Sequence, residues 1–150
     1  EIVYIKRLLQ RELPEKPKMI ILNELFADYV GVDEKVFAKE LYMSVDQIKC
    51  MRRHGMFIGG HGYAHKWLNT LNEKAQREEV LRTKDFLMLV GVPEDKLILC
   101  YPYGAYDDSL ISIMIKQDFK AGLTTEVTKA ELSSKNRFTL GRFDTNDFPK

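Results

Sequence analysis

The spacing of apolar positions changes midway along the chain. In the first half they recur every three or four residues, the period of a helix with one buried face. Ile2, Ile5, Leu8, Leu9 and Leu13 form one such stripe, which Pro14 terminates. Pro17 suits the first turn of a second helix, whose apolar positions are Ile21, Leu22, Leu25, Phe26 and Tyr29. Asp33 is placed to cap a third helix reaching about Leu41. Ser44 and Gln47 have the spacing of a capping box, predicting a fourth helix with Val45, Ile48 and Met51 turned inward and Gly55 at its end.

From Met56 onward, short apolar runs alternate with helical patterns. Met56-Phe57-Ile58 predicts a strand that Gly59-Gly60 breaks. Asn72 can cap a long helix to Val90, closed by Gly91-Val92-Pro93. Residues 97–101 predict a second buried strand, stopped by Pro102, and Asp107 or Asp108 caps a helix to about Gln117. Residues 120–124 and 138–143 predict a third and a fourth strand. Strands and helices in this alternation argue for an α/β fold with parallel strands. In such folds chemistry gathers at the carboxyl ends of the strands.

The 150 residues, 45% of them apolar, suffice for a single domain with a core, in which 1–43 is a helical segment or insertion and 44–150 the core βα units. Charges nearly cancel to +1, which supplies no electrostatic footprint for nucleic acid or an anionic membrane. No apolar run is long enough for a membrane span, and no signal peptide is visible. The chain opens on Glu1 rather than Met, which raises the expectation of an excerpt or a processed product. Cys50 and Cys100 stand in apolar stretches without a CxxC motif; they read as buried, reduced thiols and lean toward a reducing, cytoplasmic compartment.

Three strand ends carry candidate chemistry. The first is Gly59-Gly60-His61-Gly62-Tyr63-Ala64-His65, in which two imidazoles four residues apart can reach one point, as in zinc sites. No Glu follows His61, so this is not the HExxH of a metalloprotease. Metal binding and chance surface placement both fit the pair taken alone. His54, in the last turn of its helix beside Arg52 and Arg53, reads as a partner of the helix dipole.

The second strand end is Tyr101-Pro102-Tyr103-Gly104-Ala105-Tyr106-Asp107, stiffened by proline and then freed by glycine. Such a loop can aim a backbone N–H at a ligand, and Tyr101, Tyr103 and Tyr106 offer flat faces that suit a carbohydrate. Packing of the loop onto the core, with Asp107 merely capping, fits equally. The third is Gly141-Arg142-Phe143-Asp144-Thr145-Asn146-Asp147. Arg142, Asp144 and Asp147 could orient a catalytic group or form a surface salt bridge.

Residues 58–65, with Leu68 and Leu71 after them, resemble the histidine motif of the polysaccharide deacetylase family, the NodB-homology or carbohydrate esterase family 4 domain. Residues 99–107 resemble its proline–tyrosine–glycine loop, and 120–125 and 140–143 its closing strands. The resemblance runs from about Ser44 to Asp147. It implies a distorted and here incomplete (β/α) barrel, and hydrolysis of acetyl groups from sugars such as N-acetylglucosamine polymers. It also implies a divalent metal, zinc, held by His61 and His65. Tyr103 takes the oxyanion-donor role through its backbone N–H, and Pro102, Tyr103, Gly104 and Tyr106 line the substrate.

Several positions depart from the family pattern. Gly62 replaces a Ser or Thr whose hydroxyl steadies the loop, and Cys100 stands where an Arg orients the catalytic base. The family's Asp-Asp pair, source of the base and a metal ligand, has no counterpart, since Asp28 and Asp33 lie in helical or capping contexts. The Leu-x-His motif that supplies a general acid is absent too, while Asp147-Phe148 faintly resembles a late Asp-Trp motif. The expectation is therefore a fragment of a deacetylase whose site is completed by a missing N-terminal segment or a second chain, with residues 15–42 as a lid beside the sugar groove. A catalytically inactive carbohydrate-binding module on the same scaffold is the alternative.

Overall fold

The computed structural model describes residues 1–148, which form two compact units, Glu1–Ser44 and the chain from Val45 onward. The first unit is helical, as its apolar spacing predicts. Helix α1 (Ile2–Arg7) runs into a π-helical turn, Leu8–Glu12, and Leu13 is extended before Pro14. Pro14 is the N-cap of α2 (Glu15–Tyr29). In α3 (Glu34–Leu41) the Asp33 carboxylate accepts the backbone N–H groups of Lys35 and Val36 at 3.0 and 3.1 Å. The rings of Phe26 and Phe37 meet edge to face, 5.7 Å apart, and join α2 to α3. No residue of these helices is buried.

The second unit opens with α4 (Val45–Arg53). Helix α5 (Glu73–Leu89) starts where Asn72 accepts the Ala75 N–H at 2.9 Å. Helix α6 (Asp108–Lys116) is capped by Asp107, whose carboxylate accepts the Leu110 N–H at 2.8 Å. Strand β1 (Ile98–Cys100) follows α5 and β2 (Ala121–Leu123) follows α6, and the two pair in parallel with Leu99 opposite Gly122. The β1–α6–β2 unit is the crossover that parallel pairing requires. Val80 and Leu87 of α5, Leu110, Ile113 and Met114 of α6, and Leu97, Leu99 and Phe119 build the core on it.

The flanking strands are much shorter than the sequence predicts. The run Met56-Phe57-Ile58 does not pair; Gly60 makes the single parallel bridge to Leu99. Counting back from that bridge, residues 56–58 fall opposite positions ahead of β1, and Met56 and Phe57 are exposed. Leu140 likewise contributes one parallel bridge, to Leu123, instead of a strand over 138–143. Four passes thus lie side by side in chain order, around residues 60, 99, 122 and 140. Among the described residues they form an open parallel sheet, and the expected barrel does not close.

Tyr101, expected to offer a face to ligand, is instead fully buried. Its hydroxyl donates to the Phe138 carbonyl at 2.9 Å, tying β1 to the fourth pass. Burial pushes this hydroxyl far above the ordinary tyrosine range, so it remains a donor at any physiological pH. Tyr101→Phe strands that carbonyl, and urea unfolding is expected to show a loss of about 1–3 kcal/mol. An unchanged midpoint would mean that the bond contributes nothing.

The cysteines also correct their expectation. Both are free, but Cys50 is exposed on α4 and Cys100 is only half-buried. At Cys50 the carbonyl receives a bond from the His54 ring, whose Nδ1 lies 2.8 Å away and must carry the proton, since a carbonyl only accepts. His54 therefore serves the helix end, as its position predicts.

Candidate active site at the carboxyl edge of the sheet

Parallel register carries the residues that follow Gly60, Cys100, Leu123 and Leu140 to one end of the sheet. His61, the Pro102–Gly104 turn, Thr124 and Arg142 accordingly share that edge. The two imidazoles come together there: the His61 and His65 ring centroids are 4.8 Å apart, edge to face. His61 Nδ1 lies 2.8 Å from the Cys100 carbonyl oxygen. That oxygen can only accept, so Nδ1 carries the hydrogen and the Nε2 lone pair is left for a ligand. This is the arrangement by which a backbone carbonyl fixes the tautomer of a metal-binding histidine.

The His61–His65 loop is steadied by a residue the motifs do not include. Glu79, on the buried face of α5, accepts the backbone N–H groups of Tyr63 and Ala64 through one carboxylate oxygen, both at 2.9 Å. It does the work expected of a hydroxyl at position 62. Gly62 has φ +71°, a conformation that favours glycine, and a Cβ there would press on the Pro102 ring at 3.1 Å. Close approach of the two motif loops thus explains the glycine. Arg82, one turn beyond Glu79, lays its guanidinium over the Tyr63 ring at 3.7 Å.

The proline loop is equally specific. Pro102–Gly104 forms a 3-10 turn in which Tyr103 sits left-handed at φ 58°, ψ 12°. His65 is left-handed too, at φ 52°. For residues with side chains this costs on the order of 1–3 kcal/mol each, and such strain concentrates at ligand sites. The Tyr103 ring meets His65 edge to face at 4.9 Å and stacks on Trp67 at 4.5 Å, the two planes within 4° of parallel. Its backbone N–H makes no hydrogen bond among the described residues. Pro102 is buried and Gly104 half-buried. Tyr106 is half-buried, stacked on Tyr101 at 5.1 Å and bonded through its hydroxyl to Glu126 at 3.3 Å. Desolvation first, and then the Glu126 charge, push that hydroxyl above its usual range.

Asp107 is a structural anchor. Besides capping α6 it receives both bonds from Gln76 Nε2, at 2.9 and 3.1 Å, and Gln76 also donates to the Leu68 carbonyl. Arg142 reaches the site from the fourth pass. Its Nε donates to the Thr124 carbonyl at 2.8 Å, and Nη1 lies 3.9 Å from Cys100 Sγ. A guanidinium therefore stands beside position 100 although that residue is cysteine. His61, Cys100 and Arg142 line one cleft of about 490 Å³ with Phe57 and Leu123. A second cleft, of about 410 Å³, lies along the same open edge, lined by Gly60, Tyr63, Thr83 and Phe86.

Asp144 and Asp147 serve a capping box. Asp144 accepts the Asn146 N–H at 2.9 Å, and Asp147 accepts the Asp144 N–H at 2.6 Å. The bonds from Asn146 hold the Asp144 carboxyl below the usual range, so it stays ionised. Neither carboxylate bonds to His61 or His65 among the described residues. The donor set fits a divalent metal in kind, since neutral imidazole suits zinc. It is incomplete in number, because no group of three or more metal-ligating side chains occurs among the described residues.

Comparisons with known proteins point to one family. The chain is 28% identical over 85 residues to YxkH of Bacillus subtilis (strain 168), a protein named for polysaccharide deacetylase activity. That stretch is 57% of this chain and 30% of YxkH. It is similar in structure to the Streptococcus pyogenes deacetylase PplD in complex with acetate, with a TM-score of 0.60 and 28% identity, over 67% of this chain and 43% of PplD. The chain thus spans less than half the length of either relative. The family model for polysaccharide deacetylases matches residues 27–122, more than half of the sequence, and the chain belongs to that family.

Proposed function

We propose that this chain carries two metal ligands and the oxyanion donor of a deacetylase acting on acetylated oligo- or polysaccharides, within a distorted (β/α) barrel that further chain completes. The observation that carries this reading is the contiguity of His61, His65 and Tyr103 at the carboxyl edge of the sheet. His61 and His65 hold the metal, zinc, which when bound polarises an acetyl carbonyl and acidifies a water molecule. The Cys100 carbonyl keeps the His61 Nε2 lone pair available. Tyr103 presents its uncommitted N–H to the developing oxyanion, a contact worth about 3–4 kcal/mol in sites where such donors were removed. Pro102, Gly104 and Tyr106 shape the loop around the sugar. Arg142 takes the orienting role beside Cys100, with Asp144 and Asp147 holding the chain that follows it.

A base, a third metal ligand and a general acid complete this chemistry from outside the described residues. The Gly60 edge of the sheet, unpaired among the described residues and bordered by two clefts, is where a strand bearing carboxylates would dock, from a further segment or a second chain. The test is acetate release from acetylated chitooligosaccharide by the longest natural form of the protein, before and after removal of metal by a chelator. Release that stops on chelation and returns with zinc is the expected result. Sugar binding without acetate release, metal or not, would identify a binding module instead.

A further inference from the structure

Trp67 belongs to neither motif, yet it is the only tryptophan in the chain and its indole lies flat against Tyr103. Its backbone is anchored. Thr70 donates to the Trp67 carbonyl through both N–H and Oγ1, at 3.0 and 2.7 Å, and the adjoining Leu68 is fully buried in the core. Tyr103, by contrast, occupies a conformation that its own backbone disfavours, in a turn whose N–H is uncommitted. The indole is thus the fixed member of the pair and the tyrosine the held one. The opposite side of the contact runs through the Tyr103 ring to His65 and on to His61, at centroid distances of 4.9 and 4.8 Å.

We infer that Trp67 is a positioning residue: its stacked indole holds Tyr103 in the left-handed conformation and thereby sets the loop that faces the two imidazoles. The inference rests on the proposed site only for what the loop does; the stacking and its effect on the Tyr103 backbone stand without it. A second consequence is that a cation bound at His61 and His65 changes the environment of the indole through the Tyr103 ring.

Amide NMR of the purified chain separates these. In Trp67→Leu the Tyr103 amide coupling should leave its left-handed value, while Leu99 and Gly122 amides in the sheet stay in place; Trp67→Phe, which keeps a stacking ring, should restore it. A Tyr103 coupling unmoved in Trp67→Leu overturns the inference. Should that variant fail to fold, Tyr103→Leu in the intact Trp67 background is read by fluorescence: a shifted emission supports the contact, and an unchanged spectrum overturns it. Zinc is then added to the wild-type chain. A saturable emission change that His65→Ala abolishes supports the coupling to the imidazoles. No emission change, with the Tyr103 result upheld, leaves the positioning role standing and counts against the metal site.

Discussion

Replacing His61 with alanine is expected to weaken zinc binding by at least about 100-fold, and His65→Ala by a similar factor. The estimate follows from the donor set. Loss of a residue that merely orients a metal ligand already costs about 10–100-fold in affinity, and here a proposed ligand itself is removed from a pair. A factor of 100 is about 2.8 kcal/mol. The geometry adds a control. His54 has its Nδ1 committed to the Cys50 carbonyl at a helix end, so His54→Ala should bind zinc as the wild type does. Competition against a chromophoric chelator measures all three. Equal affinity in the wild type, His61→Ala and His65→Ala would show that the imidazole pair is not the site.

Glu79→Ala is expected to destabilise the second unit by about 3 kcal/mol. The carboxylate is nearly buried, at 8% exposure, and both loop N–H groups point to one of its oxygens. Hydrogen bonds to a charged group contribute about 1.5–3 kcal/mol each, and removing the acceptor leaves the donors without a partner. For a unit of roughly 100 residues the loss lowers Tm by roughly 12–24 °C. Glu79→Gln should fall in between, because a single amide oxygen can accept both bonds without the charge. Zinc affinity should fall in Glu79→Ala as well, since the N–H groups it holds lie between His61 and His65. A Glu79→Ala protein with the wild-type Tm would show that the loop holds its shape unaided.

The imidazole pair and Glu79 mark where the chain is legible and where it is not. The helices and their caps were legible because caps are local: Asp33, Asn72 and Asp107 each bond a backbone N–H two or three residues ahead. The imidazole pair and the proline loop were legible because each follows a predicted strand. Strand length was not, because pairing depends on a neighbour; Met56-Phe57-Ile58 has the composition of a strand but no partner opposite it. Glu79 was missed since its role lies in contacts across 15 and 16 residues. A signal was nevertheless present: Gln76, Glu79 and Thr83 sit in register with Val80 and Leu87 on one helical stripe, and all five are buried. Polar residues spaced like core residues usually hold something in place. Arg142 was found by position, but its approach to Cys100 spans 42 residues and could only be seen in the fold.

Gly122 has a consequence for how the two strands find each other. A Cβ at this position would collide with the Tyr101 hydroxyl and the Phe138 carbonyl, the pair whose hydrogen bond closes over it. If β2 slid by one residue along β1, the side chain of Ala121 or Leu123 would have to enter that gap. The missing side chain therefore works as a notch that admits one alignment and rejects its neighbours. A ladder only three residues long would otherwise have little to choose between them.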